Sequence, residues 1–206
     1  MPALTLCRVK EDARELGQRL FEEDIYFQLP ISEQKILEFE REHFVRLPED
    51  YRALLSQVGN GTCPSSGLLP LGYVPYEYPV PYSDLLRNLC EPFPLTENFL
   101  FDAAGSLDEN FLDSLNHGHI VLASDDYLNH WILIVEGPSR GEVWRRKSDV
   151  GFTRWASRAE FFSWLEARLI TLKSSTEETS DEDSDMCMDT DEESEGEWDE
   201  DIKEDS

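Results

Sequence analysis

Apolar residues recur at helical spacing through the first third of the chain. Val9, Ala13, Leu16 and Leu20 step by four, three and four, which draws one stripe of an amphipathic helix. Gly17 lies inside that helix at a cost of about 1 kcal/mol relative to alanine. A second helix follows, with Ser32 as its N-cap and Ile36, Phe39 and His43 on one face. The third opens at Leu47-Pro48-Glu49-Asp50-Tyr51, where Pro48 suits the first helical position because its missing N–H has no intrahelical partner there. Glu49 and Asp50 complement the positive end of the helix dipole. Tyr51, Leu54, Leu55 and Val58 form its stripe, and Gly59 is expected to end it in a left-handed conformation before the Asn60-Gly61 turn.

The middle of the chain carries less pattern. Leu68, Leu69 and Leu71 predict a short strand, and Pro70, Pro75, Pro79 and Pro81 exclude long regular elements after it. A helix is expected over 84–89, and no element is assigned between Thr96 and Asn116.

From His119 the period changes. His119-Ile120-Val121-Leu122-Ala123 and Trp131-Ile132-Leu133-Ile134-Val135 are short runs rich in β-branched residues, joined by the polar segment 124–129. Glu142-Val143-Trp144 is a third run, after the turn Gly137-Pro138-Ser139-Arg140-Gly141. Three such runs predict an antiparallel meander. The one through Val135 lacks alternation and is expected to be central and covered on both faces. A last helix starts at the capping box Ser157-Arg158-Ala159-Glu160, with Phe162, Leu165, Leu169 and Leu172 as its stripe.

Periodicity stops near Lys173, and charge takes over. The chain of 206 residues holds 18 Lys+Arg and 44 Asp+Glu. Residues 174–206 contain 17 acids and one base, a net −16, so residues 1–173 hold 44 − 17 = 27 acids and 18 − 1 = 17 bases, a net −10. The expected organisation is an N-terminal helical extension over 1–31, an α+β domain over 32–173 and a disordered acidic tail over 174–206. The fold class is α+β, a mostly antiparallel sheet flanked by N-terminal and C-terminal helices. A surface of this sign repels phosphate backbones and anionic lipid, so direct nucleic-acid and membrane binding are not expected and a basic protein partner is favoured.

Four dispersed cysteines, one of them in the tail, fit reduced thiols of a cytoplasmic protein. No apolar run approaches the ~20 residues that span a bilayer.

The order of signals resembles a known family. The Leu47-Pro48-x-x-Tyr51 helix ends in Gly59-Asn60-Gly61. Gly118-His119-Ile120 follows, then a strand into Gly137-Pro138-Ser139-Arg140-Gly141-Glu142-Val143-Trp144. The aromatic helix Phe161-Phe162-Ser163-Trp164-Leu165 completes the series. This is similar to the SUKH superfamily, which includes Smi/Knr-type fungal cell-wall-assembly regulators and bacterial immunity proteins. The resemblance covers roughly 32–172. It implies an α+β fold and a binding role, toxin neutralisation in bacterial members and regulation or scaffolding in eukaryotic ones, with no catalytic residues to carry over. One departure is the 124–129 segment, where the family commonly has a glycine-rich turn. Asp126 or Asn129 is expected to close it, since both tolerate left-handed backbone. The acidic tail also lies outside the family's pattern.

Candidate chemistry is sparse. His117 and His119 share one face of a strand, and with His130 or Asp125 nearby they are the candidate metal ligands. A zinc site takes three or four ligands, and a strand-entry pair with one packed imidazole explains the same residues, so no metal or other cofactor is assigned. Asp125-Asp126 as an acid–base pair competes with a solvated turn. Gly-x-Ser-x-Gly and the phosphate-binding Gly-x-x-x-x-Gly-Lys-Ser/Thr are absent, and no basic neighbour activates Cys63, so no enzyme is read here.

Candidate partner contacts are Asp125, Asp126, Trp155, Trp198 and Ile202. Trp155, placed in the connection before the last helix, is the indole expected to face water. Arg145-Arg146-Lys147, just after a strand, is the basic cluster; contact with an acidic partner or with the tail competes with a plain solvated hairpin end, which is the favoured reading. Thr179, Ser180, Thr190 and Ser194 each precede an acid by three residues, as acidophilic kinase sites do, and phosphate would add about −1.5 to −2 charges at each; an entropic, solubilising brush explains the tail equally well.

The expectation is a monomer or weak dimer. It is read as a binding protein of the immunity or regulatory type for a basic partner, a toxin, a nuclease or a regulatory protein. The alternative is an adaptor whose phosphorylatable tail recruits a second partner.

Overall fold

The computed structural model describes residues 2–63, 67–101, 108–126, 128–148, 150–158 and 160–180. Helix α1 (Pro2–Glu22) buries Ala13, Leu16 and Leu20, the stripe its spacing predicts. Gly17 has a packing reason: a Cβ there would lie 2.9 Å from Val58 Cγ1, so glycine lets α1 approach the end of α3. Helix α2 (Glu33–Glu42) is capped by Ser32, whose hydroxyl accepts from the Lys35 N–H at 3.3 Å. Helix α3 (Glu49–Gln57) starts one residue later than expected. Pro48 keeps an extended ψ of 143° and is the N-cap.

Gly59 corrects another expectation. It does not have positive φ; the left-handed residue is Gly61, at φ +91°. Gly59 is required by space instead, because a Cβ would sit 2.3 Å from the Gln28 carbonyl oxygen. That close approach lets β1 (Tyr26–Phe27) pair with β2 (Thr62–Cys63).

Leu68, Leu69 and Leu71 do not form a strand. Leu69 N–H donates to the Leu122 carbonyl at 2.7 Å, and Pro70, which lacks an N–H, follows directly. Helix α4 (Tyr82–Arg87) runs into a 3₁₀ turn, Asn88–Cys90. The stretch left unassigned by pattern holds β3 (Phe99–Leu100) and α5 (Glu109–Ser114), the latter capped by Asp108.

The main sheet is formed by β3, β4 (His119–Ser124), β5 (Asn129–Ile134), β6 (Val143–Lys147) and β7 (Gly151–Ala156), in the order β3-β7-β6-β5-β4. All pairings are antiparallel, and β5 is flanked on both sides, as its unbroken apolar run predicts. The pattern missed β7 and β3.

One face of the sheet carries Leu122, Trp131, Leu133, Val135, Val143 and Ala156. It packs with Leu16, Tyr51, Leu54, Phe161, Trp164 and Leu165 from the helices, including α6 (Phe161–Ser180). The opposite face carries Val121, Ile132, Ile134, Trp144 and Phe152, covered by Tyr78, Leu85, Phe93, Leu95 and Leu115. The fold is therefore α+β, a five-stranded antiparallel sheet with helices at both ends of the chain.

The capping box is present in half: the Glu160 carboxylate accepts from the Ser157 N–H at 2.9 Å, which holds it below the usual carboxylate range. Helix α6 continues through Ser180, past Lys173, since no proline or glycine interrupts it. Thr179 and Ser180 fall in its last turn. Thr190, Ser194, Trp198, Ile202 and the rest of the acidic tail from 181 lie outside the described residues.

Candidate functional site

Of the residues singled out in the hairpin and before the last helix, Asp125, Trp131, Arg145 and Trp155 converge on one pocket. Trp131 of β5 and Arg145 of β6 are cross-strand partners, so their side chains share the α6 face. The Arg145 guanidinium lies 5.2 Å from the Trp131 ring centroid. From α6, Trp164 and Arg168 are four residues apart and point to the same side. The Arg168 guanidinium is 5.6 Å from the same Trp131 ring.

Trp155 reaches this place through an irregularity in β7. Trp144 pairs with Arg154 but Val143 pairs with Ala156, so Trp155 is an extra residue, a β-bulge. The bulge breaks alternation and puts both Trp155 and Ala156 toward α6. Trp155 is therefore a strand residue, not part of a connection, and it is 49% exposed where Trp131, Trp144 and Trp164 are buried. Three indoles form a triangle: Trp131–Trp155 centroids are 6.0 Å apart, Trp131–Trp164 5.8 Å and Trp155–Trp164 6.5 Å. They wall an open pocket of about 340 Å³ that Asp125, Arg145 and Arg168 also line.

Asp125 is the electrostatic centre of the pocket. Its carboxylate accepts from Trp131 Nε1 at 2.9 Å, from Arg145 Nη2 at 3.4 Å and from Arg168 Nη1 at 2.6 Å. Two guanidiniums against one carboxylate leave the site with one net positive charge, on an otherwise acidic domain. Nη2 of Arg168 and Nε of Arg145 are buried donors without a hydrogen-bond partner among the described residues.

Asp126, next in sequence, closes the hairpin. Its Oδ1 accepts from the N–H groups of Leu128 (2.7 Å) and Asn129 (2.8 Å), and its Oδ2 accepts from Asn129 Nδ2 (2.6 Å). These bonds, the Leu128 N–H first, hold its carboxyl below the usual range. Neither Asp126 nor Asn129 has positive φ. Among the described residues of the turn, side-chain acceptance by Asp126 does the closing.

The histidine pair has a different use. His119 is fully buried, with Nδ1 2.9 Å from the His117 carbonyl and Nε2 2.6 Å from the Tyr78 hydroxyl. A carbonyl only accepts, so Nδ1 carries the proton and the Tyr78 hydroxyl donates to Nε2. Arg146 Nη1 in turn donates to the Tyr78 oxygen (3.2 Å) and to Asn116 Oδ1 (2.9 Å). Burial, with help from the Arg146 charge, pushes His119 down to about 3. His117 lies 3.6 Å from Asp113, and His130 places Nδ1 2.7 Å from Ser124 Oγ. Asp125 is on the other face of the sheet. Among the described residues, no group of three or more His, Cys, Asp or Glu is placed to hold a metal.

Arg145-Arg146-Lys147 thus lies within β6, not after it, and alternation divides it between the two faces. Sequence reasoning missed Arg168, which approaches Asp125 from 43 residues away. Its signal was the i, i+4 spacing with Trp164.

The SMI1 / KNR4 family model (SUKH-1) matches residues 30–164. The chain belongs to that family. No curated protein and no solved structure is significantly similar to it. The match spans α2 to the first turn of α6 and includes Asp125, Trp131, Arg145, Trp155 and Trp164. Helix α1, Arg168 and the acidic tail lie outside it. SUKH domains are in general non-catalytic, of immunity or regulatory type, and they bind partner proteins. Among the described residues no helix is long and apolar enough to cross a membrane.

Proposed function

We propose that this SUKH-1 domain is a non-enzymatic binding module, of the immunity or regulatory type, that engages a basic protein partner in the cytoplasm. The observation that carries this reading is how the domain uses its bases. Lys10 pairs with Glu33 at 2.6 Å, Arg19 with Glu166 at 2.8 Å, and Arg52 with Glu33 at 2.9 Å as well as with Glu40. Arg145 and Arg168 share Asp125, Arg154 faces Glu142 at 3.4 Å, and Arg146 is buried. With these cations engaged, residues 1–173 keep a net charge of −10, and many of the acids among the described residues face water. Glu11, Asp12, Glu15, Glu38 and Glu42, for example, are exposed on α1 and α2. Such a field accelerates encounter with a basic surface and opposes one with phosphate.

The test is capture on the immobilised full chain from extract of the native host, followed by a salt titration. The reading expects a partner of net positive charge whose retention falls steeply between 0.1 and 0.5 M NaCl. If that partner is a nuclease, adding the chain abolishes cleavage. A neutral or acidic partner, or retention indifferent to salt, refutes it.

A second reading is favoured by the tail: 17 acids, with Thr179, Ser180, Thr190 and Ser194 in the spacing of acidophilic kinase sites. In that reading the domain is an adaptor whose tail recruits another protein. A chain ending at Ser180 separates the two. It retains its partner if the domain alone binds and loses one if the tail recruits.

A further inference from the structure

We propose that the tryptophan pocket docks the chain's own acidic C-terminal segment, residues 189–202, with Trp198 as the anchor. The pocket has the chemistry of a receptor for an acidic, aromatic peptide. Its walls are Trp155, Trp131 and Trp164, and edge-to-face packing at 6.0 and 6.5 Å leaves Trp155 half in water. An incoming indole gains a T-shaped or offset contact there, in the geometry the three already use. Two arginines share a single carboxylate at the pocket, and each has a buried donor with no acceptor among the described residues. Arg168 is only 8% exposed, so its unmatched donor is an unmet demand for an oxygen.

The segment Asp189-Thr190-Asp191-Glu192-Glu193-Ser194-Glu195-Gly196-Glu197-Trp198-Asp199-Glu200-Asp201-Ile202 offers what the pocket lacks. Its one indole is bracketed by carboxylates, with no base within it.

The length of chain and its point of departure fit as well. Helix α6 contributes Arg168 to the pocket and ends at Ser180, so the tail leaves about 18 Å along the helix from Arg168. Eighteen residues separate Ser180 from Trp198. A Gly-rich linker of that length has a root-mean-square reach of about 21–25 Å, and the acids between 181 and 197 extend this one further, so the return distance is within its span. Tethering within reach makes the contact intramolecular, which favours even a weak peptide contact within one chain. This occupant is independent of the identity of any basic partner and of the reading proposed above.

The test is ¹⁹F NMR on the full chain labelled with 5-fluorotryptophan, which has five indoles. Trp198→Ala assigns the Trp198 line and Trp155→Ala assigns that of Trp155. The expected result is a Trp198 line shifted from its position in a synthetic 189–202 peptide. It moves to the peptide position in Trp155→Ala, in Arg145→Gln and at 1 M NaCl, and it is unchanged on tenfold dilution. Trp198→Ala reciprocally shifts the Trp155 line.

Three results overturn the proposal. One is a Trp198 line already at the peptide position, which leaves the pocket to a partner's acidic peptide. Another is a shifted line that Trp155→Ala leaves in place. The third is a shift that dilution abolishes, which makes the occupant a second copy. Trp155→Ala and Arg145→Gln act at the rim, and dispersion of the Trp144 line, buried on the other face, reports that the fold is intact.

Discussion

Gly17 and Val58 meet so closely that α1 and α3 have no room for a methyl group between them: a Cβ on Gly17 would stand 2.9 Å from Val58 Cγ1 and 3.1 Å from Cγ2. Alanine at this position gains about 1 kcal/mol of helix propensity but forces a β-branched, stiff side chain aside. Gly17→Ala is expected to lower stability by about 1 kcal/mol in urea unfolding. In a Val58→Ala background the same change is expected to raise it. A stabilising effect in both backgrounds refutes the packing account.

Phe44 follows the C-cap of α2 with φ +52° and is 83% exposed. A left-handed conformation costs an ordinary residue about 1–2 kcal/mol, and glycine escapes that cost. Phe44→Gly is expected to raise stability by about 1 kcal/mol, read as an upward shift of the urea midpoint. An unchanged or lower midpoint means that the Phe44 ring contributes packing that offsets the strain.

Asp50 sits at the start of α3 in a hollow with Glu49, Arg140 and Arg158. Sequence reasoning assigned it to the helix dipole. Burial dominates instead and raises its carboxyl from 3.8 to about 6, against the Tyr51 N–H bond and the Arg140 charge. The folded state then binds the proton more tightly than the unfolded one. Asp50 therefore makes stability fall as pH rises from about 4 through 6. The displacement corresponds to at most about 3 kcal/mol, and partial exposure lowers it. Asp50→Asn is expected to raise stability by about 1–2 kcal/mol at pH 7.5 and to change it little at pH 4. A difference between the two proteins that does not vary with pH refutes the assignment.

His119 has the opposite linkage. Its folded value of about 3 lies below the ordinary 6.5, so its contribution is complete above 6.5 and is lost as pH falls toward 3. Nitrogen chemical shifts are expected to show a neutral ring protonated on Nδ1 throughout pH 5–8. Tyr78→Phe removes the hydroxyl that serves both Nε2 and Arg146, and is expected to cost about 2–3 kcal/mol. A His119 that titrates near 6.5 contradicts the buried network.

The helices were legible because their residues obey a period, as Ala13, Leu16 and Leu20 do on α1. The central hairpin was legible because its short apolar runs, such as Ile132, Leu133 and Ile134 on β5, are rich in β-branched residues and bounded by polar turns. β7 was not, because its bulge places two successive residues, Trp155 and Ala156, on one face and breaks the alternation that marks a strand. Gly151-Phe152-Thr153-Arg154 held the signal, a β-prone run behind a turn. β3 and α5 are too short, two and six residues, to show a period at all.

Within the pocket, Asp125 and Trp155 stood out by residue type and position. Their relation did not, since Arg168 joins them only through tertiary contact. The family resemblance rested on aromatic runs and on turns, and the turns Gly59-Asn60-Gly61 and Gly137 to Gly141 stand where the fold changes direction.

The bulge in β7 separates the backbone that aims a wall of the pocket from the side chain that forms it. An inserted backbone residue, not a side-chain contact, turns position 155 toward α6, so substitutions there replace one wall of the pocket while the strand that presents it keeps its course. A deletion among residues 153–156 is different: it restores a regular ladder and rotates the position out of the cleft. Recognition at this surface can thus be retuned by point changes at a single codon, without repacking the sheet that supports it.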